Sequence, residues 1–133
     1  MNAPAHLFVY GTLRGGAGHP MHATLEAGAR RVGAARVRGH LYQLDGYPGL
    51  VLDDAGPWVV GELYRLEDEA VLEPLDRYEG AHASDPEPRE FRRIRGVVVD
   101  SQGQPQTAWI YVYGWSVNGC ARIDSGDYLR PEP

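Results

Sequence analysis

Lysine is absent from this 133-residue sequence, and all 13 basic residues are arginines. They are scattered, form no long block and stand against 18 acidic residues, for a formal net charge of -5. That balance excludes a nucleic-acid partner, because phosphate recognition rests on clustered positive charge. Cysteine is nearly absent too. Cys120 stands alone, so no intrachain disulfide can form and a secreted disulfide scaffold is excluded. Without a His-Asn partner pattern, Cys120 reads as a small buried filler. No apolar run approaches the roughly 18–20 residues of a membrane helix, and Met1–His6 lacks the basic start and apolar core of an export signal. A cytoplasmic, membrane-free protein is expected. Residues 1–133 suffice for one domain with a single core and one cleft, and not for two functional halves.

Glycine and proline, by contrast, are plentiful, at 17 and 10 residues, and they cut the chain into short elements. Leu7–Tyr10 reads as a first strand. Pro20 fits a first helical position, and Met21, Leu25 and Ala29 repeat every fourth residue, which predicts a helix over Pro20–Ala29. Alternation predicts a strand over Arg36–Leu44. Leu50–Leu52, Val59–Leu66, Phe91–Asp100 and Ala108–Gly114 follow as strands separated by Gly/Pro/Asp turns. Asp68 is placed as an N-cap and Gly80 as the C′ residue of a helix carrying Val71, Leu72, Leu75 and Tyr78, with Pro74 favouring two consecutive short helices. Ala81–Arg89 reads as a mobile polar loop, and Cys120–Pro133 shows little pattern. With no βαβ regularity, the expected class is α+β: a small mixed β-barrel or half-barrel of about six strands flanked by two or three short helices.

Two places suggest chemistry. Tyr10-Gly11-Thr12-Leu13-Arg14 leaves the first strand as a tight glycine-containing loop, a geometry that turns backbone N–H groups toward one point and suits an anion or oxyanion. It lacks the Lys-Ser/Thr of a phosphate loop, so the competing reading is a plain flexible connection. Glu79 lies four residues after Leu75 and seven after Leu72, on the apolar stripe of its helix and beside the helix C-terminus. Burial and the macrodipole both raise a carboxyl pKa there, toward the range useful for proton transfer; a fraying last turn would instead leave Glu79 in water. His19-x-x-His22 has metal-like spacing but no third ligand nearby, so no metal is assigned. Alternating Trp109, Ile110, Tyr111, Val112 and Tyr113 place one strand face in the core and leave the other for core or cleft. Arg92, Arg93 and Arg95 read as a solvated strand face.

In order and spacing, these segments resemble the γ-glutamylcyclotransferase-like (AIG2-like) family, in its small bacterial and plant-type branch. The resemblance runs through Val9-Tyr10-Gly11-Thr12-Leu13-Arg14, Tyr47-Pro48-Gly49-Leu50-Val51, Val60-Gly61-Glu62-Leu63-Tyr64, Leu75-Asp76-Arg77-Tyr78-Glu79-Gly80, Phe91-Arg92-Arg93 and Trp109–Tyr113, covering roughly residues 7–115. Ile123–Tyr128 matches the family's closing element only loosely. The resemblance implies a barrel flanked by helices, Glu79 as general acid/base, and Tyr10, Gly11, Thr12 and Leu13 as the residues that hold the substrate through backbone amides. It implies an enzyme that cyclises a small γ-glutamyl amine or γ-glutamyl amino acid to pyroglutamate, without metal or cofactor. The alternatives are γ-glutamyl transfer or hydrolysis in a biosynthetic pathway, and a non-catalytic module that binds a small acid. No oligomeric state is assigned.

Overall fold

A computed structural model describes residues 5–15 and 19–129. Its strands are β1 (His6–Val9), β2 (Ala29–Gln43), β3 (Pro48–Leu52), β4 (Trp58–Leu66), β5 (Phe91–Asp100), β6 (Pro105–Tyr113) and β7 (Ala121–Arg122). Its helices are α1 (Met21–Gly28) and α2 (Leu72–Glu79), the latter preceded by a 3-10 turn over Glu69–Val71. Strands pair in the order β2-β4-β1-β6-β5, and β5 returns to β2 through Ala35–Asp100 and Arg36–Val99. The five thus close a barrel. Every pair is antiparallel except β1–β6, where Leu7 lies opposite Trp109 and Phe8 opposite Ile110. The far half of β2 leaves the barrel and pairs with β3 and β7.

β1 explains its own composition. Successive side chains point to opposite faces of a strand. Phe8 therefore enters the barrel core with Val37, Leu41, Leu63, Ile110 and Val112, while Leu7 and Val9 enter a second core outside it. That outer core packs the helices onto the sheet through Leu25, Leu72 and Leu75. A strand buried on both faces reads as continuously apolar. Leu25 and Leu75 are fully buried, worth about 1.5–3 kcal/mol each.

The expected α+β barrel with short helices is what the chain forms, with three differences. β2 begins at Ala29, seven residues earlier than expected. Its first half bulges between Arg31 and Gly33, so the alternation that marks a strand is broken there. β7 sits in the stretch that lacked pattern, being two residues long and exposed. Cys120 is half-buried, so it is not the buried filler expected of it. Asp68 does cap the 3-10 turn, accepting from the Ala70 N–H at 2.9 Å. Pro74 occupies the third position of α2, where an N–H has no intrahelical acceptor, so the helix accommodates it. Among the described residues no helix is long and apolar enough to cross a membrane.

Candidate active site

The loop after β1 is a closed turn. Arg14 N–H donates to the Gly11 carbonyl at 3.0 Å, while the N–H groups of Thr12 and Leu13 find no acceptor among the described residues. Gly11 is not in a left-handed conformation. It is required for close approach instead: a Cβ there would lie 2.6 Å from Pro48 Cγ, where β3 begins. Gly16, Ala17 and Gly18, the rest of the glycine stretch, lie outside the described residues.

Behind the turn the chain is tied down by charge. Arg14, nearly buried, donates to Asp127 Oδ1 at 2.6 Å and lies 3.8 Å from Glu62 Oε2. Glu62, equally buried on β4, accepts from Gly15 N–H at 2.9 Å and from the Tyr64 hydroxyl at 3.2 Å. Tyr10, at the start of the turn, is buried and donates its hydroxyl to the Tyr111 carbonyl at 2.6 Å. Its phenol is held well above the usual range, first by burial and then by the charge of Glu79.

Glu79 approaches from the other side. α2 ends where Gly80 turns left-handed (φ 71°) and returns its N–H to the Arg77 and Asp76 carbonyls, which fixes the last turn instead of letting it fray. The Glu79 residue keeps partial exposure, as a side chain opening onto a pocket must, but protein atoms crowd its carboxyl. Burial, then Glu90, then Asp76 raise that carboxyl from 4.5 to about 8. Asp76, one helical turn before it, stays committed: Arg93 donates to both its oxygens at 2.8 and 3.0 Å, and Tyr111 donates its hydroxyl at 2.6 Å. The Asp76 pairing moves Arg93 off the solvated face expected of it, with its guanidinium also 4.3 Å above the Trp109 ring.

These pieces meet in one pocket of about 160 Å³. Tyr10, Gly11, Thr12 and Leu13 form one wall, Tyr78 and Glu79 another, and Tyr47, Pro48, Glu90 and Phe91 the third. Thr12 Oγ1 lies 2.7 Å from the Tyr78 hydroxyl, bridging loop and helix across the mouth. All five residues singled out from the sequence line this pocket. Glu90 and Tyr47 were missed, because each precedes or follows a turn where no period marks a face. Asp76 carried a legible signal, being three residues from Glu79 on the same helical face.

The histidine pair faces other work. His22 Nδ1 lies 2.8 Å from the Leu13 carbonyl and its Nε2 2.7 Å from Glu26, while His19 Nδ1 accepts from Met21 N–H at 3.1 Å. Among the described residues no group of three or more His, Cys, Asp or Glu side chains is placed to hold a metal.

The family profile described as "Gamma-glutamyl cyclotransferase, AIG2-like" matches residues 7–130. The gamma-glutamylcyclotransferase family protein YtfP of Escherichia coli is 34% identical, over 92% of this chain and 95% of its own. Gamma-L-glutamyl-butirosin B gamma-glutamyl cyclotransferase of Niallia circulans is also 34% identical, over 81% of this chain, which spans 66% of that enzyme. Among solved structures, an AIG2-like protein from Mus musculus superposes with a TM-score of 0.66 at 25% identity, over 88% of this chain and 82% of that one. YkqA of Bacillus subtilis gives 0.70 at 27% identity over 95% of this chain, which spans only 40% of YkqA.

Proposed function

This chain belongs to the AIG2-like gamma-glutamyl cyclotransferase family, a family of enzymes, and we propose that it releases pyroglutamate and a free amine from a small γ-glutamyl compound, with Glu79 carrying the proton. The observation that carries this reading is the pairing of a raised carboxyl, at about 8, with a turn in the same pocket whose Thr12 and Leu13 N–H groups have no acceptor among the described residues.

The turn amides of Thr12 and Leu13 hold the γ-glutamyl group, and Gly11 lets the turn lie against Pro48. The substrate's α-amine arrives as ammonium and has no free electron pair until it is deprotonated. Its approach favours the ionised form of Glu79 by direct pairing. An ordinary carboxylate would accept a proton from an amine only at great cost, whereas a carboxyl raised toward the amine's own range exchanges it more nearly at balance. The freed amine attacks the γ-carbonyl carbon of its own molecule, forming the ring C–N bond. The bond to the leaving nitrogen then breaks as Glu79 returns the proton to that nitrogen, and the second proton of the ring nitrogen passes by way of Glu79 to the released amine, which departs as ammonium. Attack within one bound molecule makes positioning the main remaining requirement.

The same relatives supply substrate precedent, since the Niallia circulans enzyme is named for a γ-glutamyl derivative of butirosin B. The test is a panel of γ-glutamyl amides assayed for pyroglutamate, free glutamate and released amine. Pyroglutamate equal to released amine is expected. Free glutamate in its place would make the reaction hydrolysis, and binding without product from any compound would make the protein a binding module.

A further inference from the structure

Resting on that cyclotransferase reading, we propose that Glu90 selects the leaving group, so that the preferred substrates are γ-glutamyl derivatives of amines bearing a second positive charge instead of γ-glutamyl amino acids. The pocket is lined by two charged side chains, Glu79 and Glu90, both acidic, and by no arginine or histidine among the described residues. Of the arginines on the framing elements, Arg93 is committed to Asp76, Arg14 to Asp127, Arg77 to Glu73 and Arg89 to Glu87 at 2.9 Å, while Arg92 and Arg95 are exposed on β5 and do not line the pocket. A leaving group with a free carboxylate would therefore enter opposite acidic side chains with no cation lining the pocket among the described residues to meet it. In a partly desolvated pocket that repulsion is felt strongly, and the attraction of an ammonium is strengthened for the same reason.

The two acids are not equivalent. Glu79 is engaged by the proton transfer at the reacting carbon, which leaves Glu90 to face what departs. Glu90 is also held in place, because the Tyr47 hydroxyl donates to its carboxylate. From Tyr47 a chain of rings leads outward: Tyr47 to Phe91 at 6.1 Å, Phe91 to Tyr113 at 5.3 Å, and Tyr113 to the half-exposed Trp115 at 6.3 Å. Aromatic faces attract organic cations, so Tyr47 and Phe91, which line the pocket, offer a cationic amine a second favourable surface beside the carboxylate.

The experiment uses three γ-glutamyl amides of matched length: those of 1,4-diaminobutane (cationic), butylamine (neutral) and 4-aminobutanoate (anionic). The expected order of kcat/KM is cationic over neutral over anionic, with each step about tenfold and shrinking as salt is added. Glu90→Gln keeps an acceptor for Tyr47 but loses the charge, and should collapse the cationic-to-neutral ratio to about one. Taking a ratio cancels any effect of Glu90 on the chemistry at Glu79. Glu90→Arg should reverse the order, and a folded Glu90→Gln protein that keeps the parental ratio overturns the proposal, as does a parental enzyme preferring the anionic amide. If none of the three is turned over, the cyclotransferase reading falls on its own. The order of their dissociation constants still decides the charge preference, and an anionic or neutral compound binding best overturns it.

Discussion

Glu62 and Glu79 are the same side chain on two sides of one loop, and they differ in what surrounds them. Glu62 has a guanidinium beside it and two donors on it, the Gly15 N–H and the Tyr64 hydroxyl. Glu79 has burial and two further carboxylates, Glu90 and Asp76, and among the described residues no side-chain donor. The first environment compensates a charge and the second resists one. A carboxylate with its partners supplied by the protein is an anchor. One left without partners is ready to take a partner, or a proton, from a ligand.

One substitution, glutamate to glutamine, separates the two positions most clearly. Glu79→Gln keeps shape and removes the proton acceptor, so kcat should fall by about 10²–10⁴ in a pyroglutamate assay, far more than KM rises from the lost pairing with the ammonium. Its stability should move the other way. The Glu79 carboxyl is raised from 4.5 to about 8 on folding, so the folded state holds that proton more tightly than the unfolded chain. The resulting stabilisation is complete below about pH 4.5 and is lost as pH climbs to about 8. Glu79→Gln escapes that loss. Its Tm advantage over the parent should widen from about pH 5 to about pH 8 and then level off; a constant difference across that range would remove the raised carboxyl from the account.

The next effect lies in the turn between the two acids. Gly11→Ala forces a Cβ against the Pro48 ring, and displacing the turn should raise KM by about tenfold or more while kcat changes less. Unaltered kinetics in a folded Gly11→Ala protein would take the substrate away from this loop. Smaller again is Glu62→Gln. It leaves Arg14 with Asp127 alone and should lower stability by about 1–3 kcal/mol, read as a lower denaturant midpoint at unchanged slope. A rise in midpoint, as expected at Glu79, would erase the distinction between the two carboxylates. The smallest expected effect is none. Chelation should leave turnover as it was, and activity lost to a chelator and restored by zinc would bring His19 and His22 back into consideration.

How far the sequence discloses such contrasts depends on range. Glu79 was legible because helical spacing puts it with Leu72 and Leu75, and Gly80 announces the end of the helix. The Tyr10–Leu13 turn was legible because an apolar strand breaks at glycine. Glu62 sits in an ordinary apolar strand, and its role depends on Arg14 and Asp127, brought together only by the barrel. Arg93 looked like its neighbours Arg92 and Arg95 until the register of β5 with β6 set it beside Tyr111 and above Asp76. Local pattern shows which face a residue takes, and pairing across the fold shows who meets it there. Glu90 is the extreme case, since its meaning comes entirely from what shares the pocket with it.

The parallel pairing of β1 with β6 has a consequence for how the protein is made. β1 is made before either strand it pairs with, one neighbour being β4 and the other β6, with Leu7 waiting for Trp109. The turn that lines the pocket hangs from the end of β1, and Arg14 waits further still, for Asp127. Contacts so distant along the chain close late and slowly, in the regime of about milliseconds to seconds. A nascent fragment ending before β6 lacks one of β1's two neighbours and the Tyr111 side of the pocket. Binding competence should arrive in one step with barrel closure, so a half-made chain has nothing with which to capture a γ-glutamyl compound.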